Sequence, residues 1–117
     1  MTDYSSRDPT VQRERASLDE LFEVLGKPPR RRILTALAEA DPREEAEFVP
    51  RDFTSDARRQ EALMRLRHTD LPKLDEAGFI EWAASSKSIT RGPRFDEIAP
   101  FVELMIAHRD ELPAGWP

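Results

Sequence analysis

Apolar residues recur at helical spacing along most of this chain and give way to a strand-like pattern in one place only. Leu18, Leu21, Phe22 and Leu25 share one face of a first helix, and Ser17 followed by Glu20 has the spacing of a capping box. Gly26 ends that helix. Pro28-Pro29 suit a first helical turn, so a second helix is expected at about Pro29–Ala40, burying Ile33, Leu34 and Leu37 and exposing Arg30, Arg31 and Arg32. Residues 41–55 hold Pro42 and Pro50 and little periodicity, with Phe48-Val49 as the candidate for a short strand. From Ser55 or Asp56 a third helical region runs to Ala77 with Leu63, Leu66, Leu71 and Leu74 inward. Pro72 inside it removes a backbone donor, which predicts one kinked helix or a division near His68–Leu71, the kinked helix being preferred.

The stretch Leu71–Thr90 is the most informative. Leu71, Leu74 and Ala77 keep helical spacing, Gly78 supplies a left-handed stop, and Phe79–Ala83 and Lys87–Arg91 read as two strands with Ala84-Ser85-Ser86 near their tip. A helix that closes through glycine onto a hairpin is how a winged helix-turn-helix ends. The expected class is therefore mainly α with a small β-hairpin, a winged helix-turn-helix with a long C-terminal dimerisation helix. That helix is expected at about Ile98–Leu112, with residues 95–98 as a separate turn because Pro100 is tolerated only in a first turn. Its apolar residues occupy more than one stripe. One stripe can pack on the domain, and Ile98, Phe101, Val102, Met105 and Ile106 are the candidates for contact with the same helix of a second copy. Residues 1–16 are polar and aperiodic, a mobile N-terminal arm ahead of one domain over 17–117.

At 117 residues the chain suits a single modest core. It has no cysteine, which excludes disulfides, thiolate metal sites and thiol switching. No apolar run reaches membrane-spanning length and no export signal opens the chain, so a cytoplasmic protein without membrane contact is expected. The net charge of −5 argues against nucleic acid until its distribution is considered. Ala57–Arg94 carries eight bases against five acids, whereas residues 1–25, 41–56 and 95–117 are each acidic. Of the basic residues 15 are Arg and 3 are Lys. An acidic, Lys-poor chain suits a cell with molar internal salt, although a GC-rich genome also favours Arg.

The block LPKLDEAGFIEW, followed by ITRGPRFDEIAP and preceded by LDELFEVLGKPPRRRILTAL, resembles a family of haloarchaeal ArsR-like winged helix-turn-helix domains, uncharacterised and expected to be DNA-binding regulators. The resemblance runs from about Leu18 to Trp116. It implies a homodimer that binds double-stranded DNA and regulates transcription. It brings no known small-molecule effector and no cofactor. ArsR-type sensors hold metal through cysteines, so the sensing half does not carry over to this chain.

On that fold, Arg58, Arg59, Arg65 and Arg67 are candidates for phosphates or guanine edges, His68 and Thr69 for base or phosphate, and Lys73 for phosphate. Lys87 and Arg91 on the hairpin would lie over the backbone or in the minor groove. Pairing with Glu61 or Asp70 at helical spacing is the competing role for these cations. Arg30-Arg31-Arg32 are expected to be scaffold. His68 and His108 lie forty residues apart without metal-ligand spacing, and no nucleophile–base pattern or glycine-rich phosphate loop supports catalysis. The competing function is a winged helix that docks a protein partner of the transcription machinery without touching DNA.

Overall fold

The computed structural model describes residues 15–49 and 56–117. Most of the expected N-terminal arm, and Ser55 as a cap, lie outside the described residues. The end of the arm does not: the Ala16 N–H donates to the Glu97 carboxylate and ties the chain to its last helix.

Helix α1 spans Leu18–Leu25. Its cap is the expected one, with Ser17 Oγ accepting the Glu20 N–H at 3.1 Å and satisfying one of the amides a helix start leaves unpaired. Leu21, Val24 and Leu25 are buried, but Leu18 and Phe22 stay 54% and 59% exposed. Helix α2 spans Pro28–Glu39, its two leading prolines having no N–H to orphan. It lies at the centre, packed on α1, the last helix and the segments around Glu45 and Leu66. Ile33, Leu34 and Leu37 are fully buried as expected. Arg30, expected to be exposed, is buried too.

Strand β1 is only Arg43–Glu44, and a 3-10 turn, Glu45–Phe48, follows it directly. The expected strand at Phe48-Val49 is therefore displaced to Arg43–Glu44. Glu44 and Glu47 close a reciprocal capping box over the turn, the Glu47 carboxylate accepting the Glu44 N–H at 2.8 Å. That box winds the chain immediately after Glu44 and leaves Phe48 in the turn.

Helix α3 (Asp56–Arg65), a π-helical turn (Leu66–Asp70) and helix α4 (Leu71–Glu76) form one continuous run. The Leu71 N–H reaches the Leu66 carbonyl five residues back. This wide turn settles the two readings of Pro72. The proline falls in the first turn of α4, where a missing donor is tolerated, and the axis is not cut into two helices by a loop. Helix α4 ends as expected at Gly78, φ +86°, with the Phe79 N–H donating to Leu74 O and the Gly78 N–H to Asp75 O. Leu74 and Phe79, the apolar pair that accompanies this stop, have no exposed surface.

Strands β2 (Ile80–Ala83) and β3 (Ser88–Arg91) pair antiparallel with Trp82 opposite Ile89, and β1 pairs on the far side of β3 with Arg43 opposite Ile89. The sheet has three antiparallel strands in the order β1-β3-β2, the third being the short strand expected at Phe48-Val49 and found at Arg43–Glu44. Gly92 lets this sheet lie close to the end of α4: a Cβ there would stand 2.5 Å from the Gly78 carbonyl oxygen.

Helix α5 spans Phe95–Ala107, starting three residues earlier and ending five earlier than expected, and a 3-10 turn covers Arg109–Glu111. Pro100 lies inside it. Both Pro100 and Asp96, whose carbonyl loses its partner, are exposed, so water can take that carbonyl and the helix runs on. Ile98 and Val102 have no exposed surface. They belong to the core that Ile33, Leu34, Leu37, Leu71, Leu74, Phe79, Ile80 and Ile89 also build. The molecule is thus mainly α-helical with a small antiparallel sheet.

Candidate nucleic-acid interface

The π-helical turn is held from beneath by a buried ion pair. Arg30 Nη1 lies 3.3 Å from Asp70 Oδ1, and both side chains are almost fully covered. Arg30 also donates through Nε to the Val24 carbonyl at 2.9 Å and through Nη2 to the Glu23 carbonyl at 2.8 Å. One guanidinium therefore closes the C-terminal end of α1 and seats the turn that follows α3. Burial pushes the Asp70 carboxyl above its usual range, and the charge of Arg30 only partly pulls it back.

A second network joins the run to the sheet. The buried Glu45 carboxylate accepts Arg67 Nε at 2.8 Å through one oxygen and the Trp82 indole N–H at 2.7 Å through the other. Sequence reading missed Glu45, Arg30 and Asp70 as a framework. Their partners lie 22 to 40 residues away, outside any helical spacing.

Arg67 is held by Glu45, Lys73 donates to Glu23 at 2.9 Å, and Arg91 donates to the Leu37 and Ala38 carbonyls with its guanidinium over the Phe95 ring. All three have partners on other elements, not Glu61 or Asp70 at helical spacing. The Lys73 hydrogen bond holds the Glu23 carboxyl below its usual range. Arg58, Arg59, Arg65, His68 and Thr69 are exposed along the helical run, as Arg91 is at the end of β3. Lys87 is exposed in the hairpin turn, at φ 57°, and not in the strand, which begins at Ser88. Arg59, Arg67 and Lys87 border one hollow, together with Glu44 and Glu45. Arg32 and Arg65 border another, which extends the cationic surface to a residue expected to be scaffold.

Of the dimerisation candidates, Ile98 and Val102 are enclosed in the core of their own chain and offer no surface. Phe101, Met105 and Ile106 are half-buried, and Leu104 is 59% exposed. His108 pairs with Glu111 at 2.7 Å near the end of α5. Among the described residues no three His, Asp or Glu side chains are grouped to hold a metal ion, and no helix is long and apolar enough to cross a membrane.

Residues 22–90, more than half of the chain, match the family described as a domain of unknown function, DUF7344. The chain belongs to this family. No curated protein and no solved structure matches it. The DUF7344 span takes in the Arg30–Asp70 pair, the Glu45 network, the helical run and β3, and it stops before α5.

Proposed function

We propose that the chain is a homodimeric, DNA-binding transcriptional regulator with a winged helix-turn-helix architecture. The α3–π–α4 run enters the major groove and the β2–β3 wing lies on the backbone. One observation carries this reading. Helix α3 contributes no buried residue, yet the Arg30–Asp70 pair and the Glu45 network hold the turn that continues it. A helix fixed at its end, half-buried only at Ala62 and Leu63 and exposed elsewhere, is placed to meet something outside the chain. It carries Arg58, Arg59 and Arg65, followed by exposed His68 and Thr69. Arginine at such positions suits phosphates and guanine edges. Arg67, Lys73 and Arg91 then serve as positioning residues. Phe101, Leu104, Met105 and Ile106 supply the dimer contact. The resemblance to ArsR-like domains of haloarchaea supports the same reading.

Salt limits how the affinity is made. A dimer neutralising about six phosphates loses roughly five powers of ten in affinity for a tenfold rise in salt. In a molar-salt cell, recognition must rest on base edges, bridging water and apolar contact. Chromatin immunoprecipitation of the tagged protein at native salt tests the proposal: discrete genomic peaks are expected, and their absence would overturn it.

One observation favours a rival. Met64 is 58% exposed on α3 among the arginines, and apolar surface of that kind suits a protein partner better than a phosphate backbone. In that reading the run docks a component of the transcription machinery. Reversing Arg59 and Arg65 to Glu would then leave genomic occupancy unchanged, and a stable heteromeric partner would be recovered.

A further inference from the structure

A hollow of about 620 Å³ lies between the α1–α2 turn, α5 and the C-terminal segment. None of the α3 arginines lines it, although Arg32 borders both this cleft and the hollow shared with Arg65. Phe22, Leu25, Met105 and Trp116 form its apolar wall, and among the described residues Arg31 and Arg32 are the ionisable side chains that border it. Its size is in the range of small-molecule sites, and an apolar wall with a few polar groups is their usual make-up.

Two hydrogen-bond donors of this wall have no acceptor. Arg31 Nε and the Trp116 indole N–H are both covered by protein and unpartnered. Arg31 is fixed in place by its Nη1 bond to the Leu25 carbonyl at 2.7 Å. Covered donors without acceptors are costly and rare in folded chains. No acidic side chain lines the hollow to relieve them. An external acceptor bearing negative charge would meet the charges of Arg31 and Arg32, which border the cleft.

We propose that this cleft binds a small amphipathic carboxylate, its apolar body against Phe22, Leu25, Met105 and Trp116 and its anionic head held by Arg31 and Arg32. The site stands whether or not the chain binds DNA. Because Met105 lines the cleft and is also one of the α5 residues assigned to dimer contact, an occupant would bear on that contact too.

Isothermal titration of the full chain at fixed KCl tests the site. Octanoate and 2-naphthoate serve as carboxylates with a chain and a ring, and 1-octanol serves as the uncharged control. Saturable binding of at least one carboxylate at one per chain is expected, with 1-octanol at least tenfold weaker than octanoate if the chain form binds. Arg32→Gln, at an exposed position, should weaken carboxylate binding at least fivefold, and Trp116→Ala, which removes the apolar wall the ring supplies, should weaken it as well. Arg31→Gln is a poorer variant because Arg31 also holds the end of α1. The proposal is overturned if neither carboxylate saturates, if 1-octanol matches octanoate, or if both variants bind as the parent does. Failure of both carboxylates, with Phe22→Ser converting a dimer to a monomer, would assign the cleft to a second copy.

Discussion

Replacing Glu45 separates the two roles a buried carboxylate can play, filling space and accepting hydrogen bonds. Its side chain is only 4% exposed, and its two oxygens accept from two different donors, Arg67 Nε and the Trp82 indole N–H. Glu45→Ala leaves both donors without their acceptor. Bonds to a charged group contribute about 1.5–3 kcal/mol each and a neutral donor about 1 kcal/mol. The Arg67 side chain is 32% exposed, so water recovers part of its loss. The cost should therefore be about 2–3 kcal/mol, a fall of roughly 10 °C in Tm for a domain of this size. Glu45→Gln is the sharper variant. A carboxamide has one acceptor oxygen, so it can satisfy Arg67 or Trp82, and its NH2 then faces the other donor. Gln should consequently recover about half of the alanine loss, roughly 1–1.5 kcal/mol, and no more. Urea unfolding followed by circular dichroism measures both variants, and exchange of the Trp82 indole proton reports the bond directly. Because the Glu45 carboxylate is covered, salt should screen the loss only at the Arg67 side, and most of it should persist from low to high KCl. A glutamine variant as stable as the parent, or an indole proton equally protected in all three proteins, would refute the two-donor account.

Gly92→Ala should destabilise by about 1–3 kcal/mol, since the new Cβ would press on backbone atoms of Gly78 and Ile80 that cannot rotate away; thermal unfolding measures it, and a neutral result would mean the sheet can shift. Asp70 provides a pH signature. Its carboxyl is raised in the fold by burial, so its contribution is full below the ordinary carboxylate value and is lost as pH rises through the raised one. Urea stability of Asp70→Asn should thus gain on the parent as pH rises across that window and run parallel to it beyond, whereas a gain on acidification would contradict the assigned direction. For the proposed function, Arg59→Glu with Arg65→Glu should abolish discrete genomic occupancy while leaving Tm within about 1 °C, because exposed substitutions change stability little; occupancy equal to the parent's would remove α3 from the reading surface.

Local rules carried most of the element pattern. Ser17 with Glu20, the prolines at 28 and 29, and Gly78 after Ala77 each act within a few residues, so the starts and stops they imply recur in the fold. The apolar spacing of Ile33, Leu34 and Leu37 and of Leu71 and Leu74 likewise specified which faces are buried, because a helix puts residues three and four apart on one side. The candidate surface was legible in part. Arg58, Arg59, Arg65, His68, Thr69 and Lys87 are exposed, but nothing local distinguishes them from Arg67, Lys73 and Arg91.

Tertiary contacts decided which of the cations are tied to other elements, as Arg67, Lys73 and Arg91 are. Arg67 meets Glu45, Lys73 meets Glu23, and Arg91 meets the end of α2, all partners that only the packing of distant elements brings within reach. The same cause buried Arg30, against the expectation that three consecutive arginines face water. Its chain-mate Asp70 lies 40 residues on, and two carbonyls of the α1 end complete its coordination. Packing also decided that Ile98 and Val102 serve the interior of their own chain, leaving their neighbours on α5 for any contact outside it. Sequence spacing determines which residues share a face of a helix; what that face meets depends on the rest of the molecule.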